Sequence, residues 1–141
     1  MTLEMDHMTH AIQESTRLSQ SGEFRKALEL LDNSIAVAVS ENWTRALETI
    51  SRHAAIIAES NGDLAKAQFY NEQTLVYAPE HPMALYAMAK ILSSQGETNA
   101  AKDYAARCYE ISLRGGSEVD RARVELLGKR WPEFGIWRVS E

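Results

Sequence analysis

The sequence predicts an all-α fold of about seven helices arranged as antiparallel hairpins. Three observations carry this. A short phrase recurs three times, as Ser21-Gly22-Glu23-Phe24-Arg25-Lys26-Ala27, Asn61-Gly62-Asp63-Leu64-Ala65-Lys66-Ala67 and Gln95-Gly96-Glu97-Thr98-Asn99-Ala100-Ala101. In each, Gly is followed by an acid and, five residues after the Gly, by Ala. Gly takes the left-handed conformation that ends one helix, the acid suits the positive end of the next, and Ala lets two helices approach. Between the phrases, apolar residues recur with helical rather than alternating period. Composition agrees: with 7 Gly and 3 Pro in 141 residues, breakers are scarce.

Helix 1A is expected from about Glu4 to Gln20, with Met5, Met8, Ala11, Ile12 and Leu18 as its apolar marks. Helix 1B, about Glu23 to Val39, carries Phe24, Ala27, Leu28, Leu30, Leu31, Ile35 and Val37. Ser40 or Asn42 is a plausible cap for helix 2A, which runs to about Ser60 through Trp43, Ala46, Leu47, Ile50, Ala54, Ile57 and Ala58. Helix 2B covers about Asp63 to Tyr77, and Pro79 and Pro82 mark a stop and a restart. Helix 3A, about Pro82 to Ser94, carries Leu85, Met88, Ala89 and Leu92. Helix 3B, about Glu97 to Leu113, carries Ala101, Tyr104, Ala105, Cys108 and Ile111. After Gly115-Gly116 a seventh helix, about Ser117 to Lys129, presents Val119, Ala122, Leu126 and Leu127. Trp131, Phe134, Ile136 and Trp137 then crowd into seven residues. That density is expected to pack, either on the capping helix, in the chain's own groove or on a second copy.

The chain is one domain's worth, with 45% hydrophobic and 25% charged residues and a net charge of −5. An acidic chain is not expected to bind nucleic acid generally. The lone Cys108 allows no intrachain disulfide. The N-terminus lacks the basic start and apolar run of a signal peptide, and no apolar run approaches a membrane span. A cytoplasmic protein with no membrane partner is therefore expected.

Gly62 and Gly96 lie 34 residues apart, and Gly22 and Gly62 lie 40 apart. A 34-residue helix–turn–helix period resembles the tetratricopeptide repeat. The resemblance covers about Met8 to Leu113, with repeats at about 8–41, 48–81 and 82–115, a capping helix at about 117–129 and the aromatic tail at 130–141. It implies a right-handed superhelix in a single domain. The match is uneven. Ala27, Leu31, Ala67, Pro79, Leu85, Met88, Ala101 and Cys108 suit the family pattern, whereas Ser51, Ala58 and Asn71 are smaller or more polar than it asks. The six extra residues between the first two repeats can lengthen helices 1B and 2A, with Trp43 plugging the wider gap.

Family members bind extended or helical segments along the face formed by their A helices. The resemblance so implies a groove lined by Thr9, Ile12, Thr16 and Ser19, by Thr49, Arg52, His53, Ile56 and Glu59, and by Met83, Tyr86, Lys90 and Ser93. Arg52 and Lys90 are candidates to pair a carboxylate and Tyr86 to serve as an aromatic anchor. Chaperone-binding members carry a clamp of Lys, Asn and Arg. Here those positions hold Ile12, Thr16, His53, Tyr86 and Lys90, so chaperone C-termini are not the expected ligand.

No catalytic constellation is visible, and neither cofactor nor metal is expected. His7, His10 and Glu14 are helically spaced but fall short of a structural zinc set. Cys108 occupies a packing position. The expected function is a non-catalytic scaffold holding a protein or peptide partner. Alternatives are a small secretion-type chaperone, similar to bacterial type III translocator chaperones, or a structural subunit that associates with itself.

Overall fold

A computed structural model describes residues 2–137 and is all-α. Its described residues form seven helices and one short 3-10 turn: α1 (Leu3–Gln20), α2 (Phe24–Ser40), α3 (Thr44–Ser60), α4 (Leu64–Tyr77), α5 (Pro82–Ser94), α6 (Thr98–Gly115), α7 (Glu118–Arg130) and the turn Pro132–Phe134. Each helix bound lies within two residues of its sequence expectation where one was set. The polar end of the tail, residues 138–141, lies outside the described residues. Contacts divide the chain into two compact units, one up to Pro79 and one from Glu80 onward.

In the first unit α1 packs on α2 and α3, α2 on α3, and α3 on α4. Three identical turns organise it. After α1, α2 and α3 the chain closes on a residue with positive φ: Gly22 at 79°, Asn42 at 58° and Gly62 at 76°. Each turn carries the same pair of bonds. Gly22 N donates to Ser19 O and Glu23 N to Leu18 O; Asn42 N to Val39 O and Trp43 N to Ala38 O; Gly62 N to Glu59 O and Asp63 N to Ala58 O. These bonds close a helix whose last carbonyls would otherwise lack donors. Neither Ser40 nor Asn42 caps α3, contrary to expectation. Asn42 is instead the left-handed residue, a conformation Asn tolerates better than most non-Gly residues, and Trp43 occupies the cap position without a side-chain bond. The 40 residues between Gly22 and Gly62 are thus two helix-plus-turn steps of equal length. The added residues lie in α2 and α3, each 17 residues long, where α4 has 14.

A carboxylate from α1 does what Trp43 cannot. Glu4 Oε2 accepts from Ala46 N at 3.1 Å, in the first turn of α3. Beside it, His7 Nε2 lies 2.9 Å from the Ser34 carbonyl, and its ring meets Trp43 at 5.4 Å. Trp43 therefore fills the space where α1, α2 and α3 meet. The core is small-residue rich, with Ala11, Ala27, Ala38, Ala46, Ala54, Ala55 and Ala58 buried beside Leu28, Leu31, Leu47 and Ile50. Met5 and Val37, expected to pack, are exposed.

In the second unit α5 packs on α6 and α6 on α7. Gly96, φ 79°, repeats the turn, with Glu97 N donating to Leu92 O. α7 opens on a capping box, in which Ser117 Oγ accepts from Asp120 N while the Asp120 carboxylate accepts from Ser117 N. Of its four expected apolar residues only Leu127 is buried. Val119, Ala122 and Leu126 are exposed, because nothing in this unit covers that side of α7. The tail packs on its own chain. Trp131 and Phe134 are buried and stacked 5.6 Å apart, and Trp137 meets Tyr109 at 5.1 Å and donates its indole N–H to Trp131 O at 2.7 Å.

Candidate functional site

Of the expected groove residues of the first unit, the structure brings Thr16 and His53 into contact. Thr9, Ile12, Thr16 and Ser19 fall on one side of α1, and Thr49, Arg52, His53, Ile56 and Glu59 on one side of α3, through helical spacing. The two sides meet where Thr16 Oγ1 and His53 Nε2 lie 3.3 Å apart. Thr16 gives its single hydroxyl proton to Ile12 O at 2.6 Å. The contact therefore requires His53 to donate from Nε2, which leaves Nδ1 as the acceptor of a neutral ring. Burial holds the His53 pKa below the ordinary imidazole value, favouring that neutral form. Thr9, Thr49 and Ile56 are exposed along the same surface.

Arg52 has a different place from the one its charge suggested. Its side chain is only 14% exposed. Nη1 donates to Asn71 Oδ1 at 2.9 Å, and the Glu59 carboxylate lies 3.6 Å away. Asn71, fully buried on α4, completes the set by donating Nδ2 to Glu59 Oε1 at 3.2 Å and to Ala67 O at 3.0 Å. Burial lowers the Arg52 pKa, opposed by the Glu59 charge and hydrogen bond. An Arg, an Asn and a Glu thus satisfy one another between α3 and α4. Arg52 orients the hairpin and is engaged within the chain rather than held out to a ligand.

In the second unit Met83, Tyr86, Lys90 and Ser93 lie along one side of α5. Met83 and Lys90 are exposed. Tyr86 is half-buried against Trp131, with ring centroids 5.5 Å apart, and Ser93 Oγ accepts the Trp131 indole N–H at 3.3 Å. Met83 and Tyr86 join Val119, Ala122, Arg123 and Leu126 of α7 around an open cleft of about 210 Å³. Arg123 is fixed there by Asp120 at 2.9 Å and by Ser112 Oγ at 3.3 Å.

Other chemistry-bearing residues are committed elsewhere. Cys108 is buried, its thiol donates to Pro82 O at 3.4 Å, and burial pushes its pKa up to about 11, so it is protonated at neutral pH. His7 faces Ser34 and Trp43, and Glu14 is bound by Arg17. Among the described residues no three His, Cys, Asp or Glu side chains converge as a metal set. No helix among them is long and apolar enough to cross a membrane.

No family model and no curated protein matches the chain.

Two features of these surfaces escaped the sequence reading. Asn71 stood out only as too polar for its packing position, twelve residues after Glu59, and that misfit was the signal of the Arg52 network. The apolar side of α7 was visible as a helical stripe, but a stripe does not tell a buried side from an open one.

Proposed function

We propose that the chain is a non-catalytic, tetratricopeptide-like scaffold that binds a protein or peptide segment on the faces of its A-type helices. The observation that carries this is the Thr16–His53 contact, which joins α1 and α3 into one continuous polar face bordered by Ile12 and the exposed Ile56. The face is partly preorganised: Thr16, His53, Arg52 and Glu59 already have partners, so a ligand would meet side chains with little entropy left to lose. Thr9, Thr49 and Ile56 in the first unit, and Met83 and Lys90 in the second, remain available for contact. The recurring turn at Gly22, Gly62 and Gly96 and the 34-residue step between the last two support the repeat assignment. A cytoplasmic location goes with this reading.

Exposed positions give a test that leaves the core intact. Ile56→Glu and Lys90→Glu should each weaken capture of partner protein by the full chain, while Val37→Glu, on the exposed side of α2, should not. Capture that is equal for all three variants and wild type overturns the assignment of the faces.

A further inference from the structure

We propose that the aromatic tail, residues 131–137, is a detachable cover on the face of α5, and that a partner segment presenting an indole replaces it there. This rests on the reading of the A-type helix faces as recognition surfaces and adds how one of them is kept closed and what opens it.

Tyr86 and Ser93, two of the four face positions on α5, are the ones Trp131 engages. The rings of Trp131 and Tyr86 lie 5.5 Å apart, and Ser93 Oγ accepts the Trp131 indole N–H at 3.3 Å. Met83 and Lys90 on the same face stay exposed. The tail then runs on to α6. Trp131 stacks on Phe134 with 6° between their planes, Phe134 meets Trp137 at 6.4 Å, and Trp137 meets the Tyr109 ring at 5.1 Å. Three tail rings therefore bridge a Tyr of α5 and a Tyr of α6, and they close part of the face in cis.

The tail carries hydrogen bonds of its own. Phe134 N donates to Trp131 O, Gly135 N to Pro132 O and the Trp137 indole to Trp131 O, while Trp131 N donates to Leu127 O at the end of α7. Gly135, at a φ of 64°, closes this turn. None of these four bonds reaches α5 or α6, so the tail can lift away with its shape kept. On α5 it is held by ring contact and by the Ser93 bond, whose 3.3 Å is longer than the usual range. A segment bonded mainly to itself opens locally, below the free energy of global unfolding.

What the tail vacates is fitted to an indole. Tyr86 forms a wall, Ser93 Oγ accepts an N–H, and the Arg130 guanidinium lies over the ring, 5.3 Å from its centroid. An indole from a partner meets the same three groups. An aliphatic side chain leaves the acceptor unused and forfeits the cation–π contact.

The first test uses the unaltered full chain. In NMR hydrogen exchange at low urea, the Trp131 and Trp137 indole protons should exchange through one shared opening. That opening should be at least about tenfold more populated than the one exposing the Met88 and Ala105 amides, with a shallower urea dependence. Exchange of all four in a single step with equal urea dependence overturns the proposal, because the tail is then core. The second test titrates acetyl-Trp-Pro-Glu-Phe-Gly-Ile-Trp-amide into the full chain and into its Trp131→Ala/Trp137→Ala variant. The Tyr86 and Ser93 signals of the variant should shift saturably, at about tenfold lower peptide concentration than in the wild type, whose own tail competes at high effective concentration. The same peptide with Leu in place of both Trp should bind the variant about tenfold more weakly. Equal binding to the two proteins, or equal binding of the two peptides, overturns the proposal, and so does a variant whose α5 amides lose their protection. Any of these failures leaves the α1–α3 face, tested by Ile56→Glu, standing. Loss of the Ile56→Glu effect with both indole results intact confines recognition to α5.

Discussion

The Tyr70 hydroxyl donates a 2.6 Å hydrogen bond to the Asp32 carboxylate, tying α4 back to α2. Burial, reinforced by Asp32, raises the Tyr70 pKa well above the ordinary 10.0. Tyr70→Phe keeps the ring and removes the bond, and should cost about 1 kcal/mol in urea unfolding. Because the folded pKa is raised, the contribution is present in full below about pH 10 and is lost as pH rises beyond it. The gap between wild type and the variant should therefore narrow in alkali. A gap that widens there would contradict the bond.

His53 sets the opposite pH dependence. Burial lowers its folded pKa. Stability linked to it is present above the unfolded value of about 6.5 and falls as pH drops through that range, because the unfolded chain takes up the proton more readily. The chain should lose stability between about pH 7 and pH 5, and His53→Gln should flatten that part of the curve. Thermal unfolding of both proteins across the range reads this directly.

Asn42 is the non-Gly member of a recurrent left-handed turn. Asn42→Ala should destabilise by about 1 kcal/mol, since a Cβ without the Asn side chain's local hydrogen bonding is disfavoured there. Asn42→Gly should change stability by no more than about 0.5 kcal/mol, the relieved strain offsetting the greater freedom of the unfolded chain. If Ala and Gly behave alike, the turn is not what limits this position.

Ser51 is fully buried, and its hydroxyl has no hydrogen-bond partner among the described residues. Ser51→Ala should stabilise the first unit by about 1 kcal/mol, because it removes a desolvated polar group without leaving a large void. A destabilised Ala variant would show that the hydroxyl is satisfied.

Gly115 is held small by Asp120. A Cβ at this position would sit 2.1 Å from Asp120 Oδ2 and 2.5 Å from its Cγ. Gly115→Ala should therefore displace the carboxylate, opening the α7 capping box and the Arg123 bridge, at a cost of about 1–2 kcal/mol. The Gly115→Ala/Asp120→Ala double variant should be little worse than Asp120→Ala alone. Additive losses in that double-mutant cycle would rule out the steric cause.

What was legible in the sequence follows the range of the forces involved. Helix bounds were readable to within two residues because periodicity, Pro82 and the Gly turns act on their own neighbours in the chain. Asn42 was misread because the same side chain serves both as a helix cap and as a left-handed turn residue. The tail announced that it must pack, through Trp131, Phe134 and Trp137, but a cluster of rings does not name its surface. The structure places it against Tyr86, Ser93 and Tyr109.

Local sequence by itself determined that this chain is helical, where its helices turn, and which residues share a side of each helix. Only tertiary structure decided which of those side chains remain available. Arg52 and Lys90 read alike as cations on A-type helices. Arg52 is consumed by Asn71 and Glu59, because the packing of α4 on α3 brings a buried amide within reach of its guanidinium, whereas Lys90 stays exposed and forms no ion pair among the described residues. A hydrogen bond between helices depends on their crossing and register, which no stretch of either helix encodes alone.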